Sequence, residues 1–261
     1  MVRVLVVLPT YNEAANISTV LERVRTALPD ASILVVDDNS PDKTAEIAEK
    51  SAEMFGAIHV LRRPGKAGLG SAYRDGFRWG LARGFDVLVE MDSDLSHDPD
   101  ALPSLVAPID SGYELSIGSR YVPGGAIPDW SFVRRMLSRG GNLYANALLG
   151  LGVKDATAGF RAYDAALLRR IDLEAVRADS YGFQIEMTYL SLKAGAAVRE
   201  VPIRFVDRAL GTSKMSTYTV VEALTLVTWW ALRRLGAQLR GRLSAGLQGA
   251  SRRRAARRPQ R

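Results

Sequence analysis

The chain has no cysteine and only two histidines, His59 and His97, among its 261 residues. Disulfides and thiolate zinc sites are therefore excluded, and a histidine-rich metal centre cannot be assembled. A reducing compartment fits this composition. Long hydrophobic runs are also missing, since no stretch reaches the roughly 18 apolar residues of a spanning helix. The apolar start, Met1–Pro9, is too short for a signal peptide and reads as a first strand. Acid is missing from one region only. Residues 233–261 hold ten arginines and neither Asp nor Glu, so removing them from the net +7 leaves about −3 for residues 1–232. The basicity belongs to the tail and does not mark a nucleic-acid-binding fold, because aromatic residues are not interleaved with it. The common phosphate fingerprints are absent too. No G-x-G-x-x-G follows a strand and no P-loop occurs; Gly65-Lys66-Ala67-Gly68-Leu69-Gly70 reads as the lead into a helix near Leu69.

What is present is an ordinary globular composition, 47% hydrophobic and 24% charged, long enough for one sizeable core. Strand and helix patterns alternate through the first 120 residues. Strands are predicted over Val2–Leu8, Ile33–Val36, Ala57–Leu61, Val87–Met91 and Leu115–Ile117. Helices are predicted over Ala14–Leu28, Asp42–Met54 and Leu69–Arg83. That alternation predicts an α/β fold with a doubly wound, mainly parallel sheet flanked by helices. Beyond Ile117 the pattern loosens into a long loop, Gly118–Arg135, rich in Gly, Pro, Arg and aromatics. Helices near Ser138–Leu149 and Phe183–Lys193, a short strand near Ala197–Phe205 and a helix over 217–235 complete the expectation.

The most informative stretch is the end of the fourth predicted strand, where Asp92 and Asp94 stand one residue apart. Carboxylates at a strand's carboxyl end suit a hard cation that also binds a diphosphate, and open α/β sheets bind ligands at that edge. Asp-x-Asp alone is common and by itself favours an acidic turn. Four further clusters change the balance: Pro9-Thr10-Tyr11-Asn12-Glu13, Asp37-Asp38-Asn39-Ser40, Gly118-Ser119-Arg120-Tyr121, and Arg208-Ala209-Leu210-Gly211-Thr212-Ser213-Lys214. Acids at three strand ends and cations from two later loops describe a pocket for a metal-bound anion.

With Asp92-Ser-Asp94-Leu-Ser-His97 and Asp207-Arg-Ala-Leu-Gly-Thr-Ser-Lys214 in the same order, residues 2–218 resemble family 2 glycosyltransferases, and among them the polyprenol (dolichyl) phosphate mannose synthases. Asp-Ser-Asp stands where Asp-Ala-Asp is commoner. The resemblance implies a GT-A type (Rossmann-like) domain over 1–218, an interfacial amphipathic helix over 219–235 and a basic tail over 236–261. It implies mannose transfer from GDP-mannose to a polyprenyl phosphate, with inversion and with Mg²⁺ or Mn²⁺. Pro9, Tyr11, Glu13, Val36 and Asp38 would line the nucleotide site. Asp92 and Ser93 would lie near the sugar, and Asp94 with Ser96 would hold the metal. Arg120, Arg208 and Lys214 would contact the donor, the last two holding its diphosphate, while Arg120, Arg134 and Ser138 would receive the acceptor's phosphate. Asp94, Arg120 and Arg208 are the expected catalytic residues. His97 is expected to be structural.

A lipid acceptor gives the C-terminus a purpose. The run Val220–Leu235 fits either an interfacial helix anchored by Trp229 and Trp230 or a helix packed on the core. The arginine tail would hold to anionic headgroups, at about 1 kcal/mol per residue near the surface. The expected location is cytoplasmic, peripheral on the cytoplasmic face of the membrane, with room for a membrane-anchoring partner protein. Two other readings stay open at this point: UDP-glucose as donor on the same fold, and a non-catalytic membrane- or RNA-binding adaptor.

Overall fold

In the computed structural model, residues 2–176, 178, 180–206 and 224–233 are described. Seven strands form one sheet in the order β3-β2-β1-β4-β6-β5-β7. They are β1 (Val4–Thr10), β2 (Ser32–Asp37), β3 (Ile58–Arg62), β4 (Val87–Glu90), β5 (Leu115–Ser119), β6 (Arg161–Asp164) and β7 (Val198–Pro202). The helices are α1 (Ile17–Ala27), α2 (Thr44–Phe55), α3 (Leu69–Ala82), α4 (Leu102–Asp110), α5 (Phe132–Leu149), α6 (Ala165–Arg170) and α7 (Ser180–Lys193). Strands β1 to β4 are parallel neighbours, as the βαβ alternation predicts. The apolar runs of β1, β2 and β4 are explained by burial on both faces: helices α3 and α7 lie over one, α1 and α4 over the other.

Close packing of α3 on the sheet depends on two glycines. A Cβ at Gly80 would stand 2.7 Å from Leu5 Cδ2 and Leu88 Cδ2, and one at Gly76 would run into Val7 Cγ1. The helix therefore sits low enough for Tyr73 and Phe77 to reach the core and to place Tyr73 beneath the β4 edge.

The main departure from expectation is β6. It inserts between β4 and β5 and is antiparallel to both. With Arg161 and Asp164 at its two ends it has no apolar run, and four residues are too few for a period. The second departure is α5, which begins at Phe132 within the predicted loop, six residues before Ser138. Ser131 caps it, its Oγ accepting the Arg134 amide at 3.3 Å. Two short helices, α4 and α6, were also unanticipated. Helical residues 224–233 bury Val227 and Trp230 on the core and expose Leu224, Trp229 and Leu232. No helix among the described residues is long and apolar enough to cross a membrane. The predicted boundary at 218 and the basic tail 236–261 lie outside the described residues.

Candidate active site at the carboxyl edge of the sheet

The ends of β1, β2, β3 and β4 meet at one edge, and each turn there is held by its own polar residues. Asp37 is a structural anchor: its Oδ1 accepts the Thr10 hydroxyl at 2.8 Å and its Oδ2 the Ser40 amide at 2.9 Å. Asn12 and Asn39 take φ of 60° and 58°, a left-handed conformation that asparagine tolerates better than most side chains. These turns bring Tyr11, Glu13 and Asp38 together. Asp38 pairs with the buried guanidinium of Arg63 at 2.7 Å and also receives the Ala67 amide. Burial pushes its carboxyl above the usual range, against the pull of Arg63. Lys66 sets its ammonium 4.8 Å from the centre of the Tyr11 ring. An aromatic ring with a lysine over it and carboxylates on the adjoining turns suits a nucleoside.

The loop after β4 carries the acidic pair. Leu95 is held at φ 62°, an uncommon conformation for a γ-branched residue, and this tight turn brings the Ser96 amide to Asp94 Oδ1 at 3.0 Å. Asp92 receives the Tyr73 hydroxyl at 3.3 Å, and Ser93 donates to the Pro9 carbonyl at 2.8 Å, tying this loop to β1. Ser96 Oγ is buried and has no hydrogen-bond partner among the described residues. An orphaned hydroxyl two residues from a buried carboxylate fits a hard cation. No three carboxylate, histidine or cysteine side chains converge among the described residues. A cation here would therefore complete its shell with substrate oxygens.

His97 supports this loop from behind. Its Nδ1 accepts the Asp92 amide at 3.1 Å, and its ring stacks on Phe160 and meets Phe205 edge-on. Burial drives its pKa down to about 4, so the ring is neutral and Nε2 carries the proton. At the end of β4, Glu90 is wholly buried, with Tyr163, Gln184 and Arg161 around its carboxyl. Burial raises it to about 7 against the opposing charge of Arg161.

These two groups act on stability with opposite signs. Between pH 4.5 and 7 folded Glu90 keeps a proton that the unfolded chain has released, so its contribution declines as pH rises. Between pH 4 and 6.5 the unfolded chain binds a proton that folded His97 refuses, so that contribution grows as pH rises. Each amounts to about 3 kcal/mol at full extent, and they offset one another across the shared window. Glu90→Gln is therefore expected to gain about 3 kcal/mol over wild type between pH 4.5 and pH 7. Urea unfolding at both pH values measures the difference, and parallel profiles would refute it.

The cationic side is built on Arg120, just after β5. Its backbone amide and Nε donate to Asp155 Oδ2 at 3.0 and 2.7 Å, and its Nη2 donates to Asp155 Oδ1 at 2.7 Å. Asp155 is fully buried. Burial alone would raise its pKa, but the charge and hydrogen bonds of Arg120 outweigh this and hold it below the ordinary value. Arg134 lies over the Trp130 ring at 4.0 Å, and Ser138 accepts the Tyr121 hydroxyl at 2.7 Å. Trp130 in turn meets Phe205 edge-on, which joins this side to the His97 stack.

The structure thus gathers Pro9, Tyr11, Glu13, Asp38, Asp92, Ser93, Asp94 and Ser96 at one edge, with Arg120, Arg134 and Ser138 on the neighbouring wall. Val36 is different: its side chain is buried in the core against α3, not turned to the open edge. Arg208 and Lys214 lie outside the described residues. Three contributors were missed by sequence reasoning, Arg63, Tyr73 and Asp155, and Lys66 was placed only in the lead into α3. Arg63 and Lys66 follow a strand end, a signal that the first, second and fourth strands had already shown to matter. Asp155 had no such signal.

Residues 5–172 match glycosyl transferase family 2. The chain is 50% identical over 241 residues to the undecaprenyl-phosphate mannosyltransferase of Micrococcus luteus, covering 92% of this chain and 99% of that one. It is 49% identical over 232 residues to the polyprenol monophosphomannose synthase of Mycolicibacterium smegmatis, covering 88% of each. Among solved structures, glucosyl-3-phosphoglycerate synthase from Mycobacterium tuberculosis, in complex with Mn²⁺, uridine diphosphate and glucosyl-3-phosphoglycerate, shares the fold. The TM-score is 0.62 at 22% identity, over 86% of this chain and 78% of that one. An acidic strand-end loop at the carboxyl edge of the sheet, the family match and relatives of this kind lead to one assignment: the chain belongs to glycosyl transferase family 2 and is a glycosyltransferase.

Proposed function

We propose that the protein transfers mannose from GDP-mannose to the phosphate of a polyprenyl monophosphate, with inversion, at the cytoplasmic face of a membrane. One observation carries this reading: an acidic loop suited to a diphosphate faces a cationic wall whose helix, α5, is apolar on its outside. Phe132, Val133, Met136, Leu137 and Leu143 are all more than half exposed along α5. With Tyr144 and Leu224, several of them line an open groove of about 640 Å³. Helical residues 224–233 are tied to it by the Tyr144–Thr228 hydroxyl pair at 2.7 Å. An apolar helix face of this extent suits an isoprenoid tail and the bilayer that holds it. The relatives named for polyprenyl phosphate acceptors support the same conclusion.

In this reading Tyr11, Glu13, Asp38 and Lys66 bind the nucleoside, and Asp92 with Ser93 orients the sugar. Asp94 and Ser96 hold a divalent cation, Mg²⁺ or Mn²⁺, which when bound supplies charge neutralisation to the departing diphosphate. Arg208 and Lys214 hold that diphosphate from the later loop. Arg120, Arg134 and Ser138 hold the acceptor's phosphate in line with the anomeric carbon. The acceptor is already anionic, so no general base is required, and His97 is too buried and too acidic to serve as one. Catalysis is then positioning plus stabilisation of the leaving group.

The test mixes purified protein, Mg²⁺ and polyprenyl phosphate in detergent with radiolabelled GDP-mannose or, separately, UDP-glucose, and counts label in the organic phase. Label from GDP-mannose alone is expected, and it would also show that no membrane-anchoring partner protein is required. Label from UDP-glucose alone would overturn the donor, and label from neither would overturn the reading.

A further inference from the structure

The two elements that hold the acceptor's phosphate in this reading belong to different parts of the chain. Arg120 follows β5, whereas Ser138 and Arg134 are on α5. Something has to fix their spacing. On the inner side of α5, one turn beyond Ser138, Asn142 is 3% exposed and its amide spans the gap. Its Oδ1 accepts the Ala156 amide at 2.8 Å, and its Nδ2 donates to Thr157 Oγ1 at 3.1 Å and to the Ser138 carbonyl at 3.0 Å. Thr157 continues the path. Its hydroxyl accepts Arg120 Nη2 at 2.7 Å and donates to Asp155 Oδ1 at 3.2 Å. All three hydrogen-bonding positions of that hydroxyl are therefore used. Together Asp155 and Thr157 engage three of the five N–H groups of the Arg120 guanidinium and fix its plane.

We propose that Asn142 and Thr157 are positioning residues for acceptor binding, a two-residue bridge that sets the Arg120 guanidinium at a fixed distance from Ser138 on α5. The inference rests on the reading of Arg120 and Ser138 as ligands of the acceptor's phosphate. It adds that their geometry is imposed from behind, by groups that do not touch substrate. A phosphate clamped by groups from two elements loses affinity when one element drifts by a fraction of an ångström. The donor residues on the loops after β1, β2, β3 and β4 have no part in the bridge. Damage to the bridge is therefore selective.

Thr157→Val removes the hydroxyl at nearly constant shape, and Thr157→Ser keeps it. Steady-state kinetics in detergent, with each substrate varied in turn, separate the two sites. Thr157→Val is expected to raise KM for polyprenyl phosphate about tenfold, leaving KM for GDP-mannose within about twofold, and Thr157→Ser is expected to restore the wild-type value. Asn142→Ala is expected to raise the same constant. The double variant should exceed the larger single effect by little, because both changes cut one path. Circular dichroism and thermal unfolding check that each variant is folded. Equal loss on both substrates, additive effects, or an unchanged acceptor KM in Thr157→Val and Asn142→Ala would overturn the proposal. Arg120→Lys separates the levels: if it raises acceptor KM while the bridge variants do not, only this inference falls. If Arg120→Lys also leaves acceptor KM unchanged, the reading of Arg120 falls with it.

Discussion

Asp94→Asn is expected to lower kcat for sugar transfer by about 10³-fold, equivalent to about 4 kcal/mol of lost leaving-group stabilisation, with little change in Tm. The asparagine is nearly the same size, and its Oδ1 can accept the Ser96 amide as the aspartate does at 3.0 Å. The turn at Leu95 therefore keeps its shape. What disappears is a negative charge in a position only 4% exposed, where a hard cation is worth most. Binding of GDP-mannose should weaken in the presence of Mg²⁺ and change little with EDTA. Titration calorimetry under both conditions checks this. A variant that keeps a tenth or more of wild-type turnover would show that Asp94 does not hold the metal. Ser96→Ala is a weaker test of the same site, because a neutral hydroxyl contributes less to a divalent ion than a carboxylate does.

The acidic edge was legible because every part of it obeys a local rule. Apolar runs announced the parallel strands, and polar clusters directly after them announced the ligand edge. The clusters that contain Asp38 and Asp94 could be placed at that edge for that reason, whereas the separate roles of the two residues were implied by the family resemblance. The cationic wall was legible only in its motif residues. Arg120 was visible after β5, but nothing local marks its partner Asp155, 35 positions later, because a buried ion pair is a tertiary fact. The same holds for β6. Arg161 is fully buried and donates to the carbonyls of Ala156, Ala158 and Gln184, yet on the page it is one more arginine in a polar stretch. The first turns of helix α5, ahead of Ser138, were hidden for the opposite reason. Its apolar side faces outward, so a reading that assigns apolar residues to a core finds no consistent face at its start. Where sequence rules failed, at the cationic wall, long-range polar contacts and an inverted hydrophobic face had replaced local pattern.

Breaking the Arg120–Asp155 pair from one side is expected to be the most destabilising single change at the site. Asp155→Ala would leave the guanidinium of Arg120, itself 5% exposed, without its buried carboxylate. Loss of one member of such a pair costs about 3–5 kcal/mol, because the remaining charge stays desolvated. Three donors would be orphaned together, the Arg120 amide, Nε and one Nη2 hydrogen. Removing both members gives a different result. An Arg120→Met, Asp155→Leu double variant replaces two desolvated charges with apolar groups of similar bulk, and its stability is expected to lie within about 1–2 kcal/mol of wild type. Chemical denaturation of the two variants and wild type measures the contrast. Transfer activity is expected to vanish in both. A stable but inactive double variant would mean that the pair is kept for what its cation does at the acceptor wall, not for the fold. A double variant as unstable as Asp155→Ala would mean that the hydrogen bonds around the 155–157 loop, and not the charges, are what the core depends on.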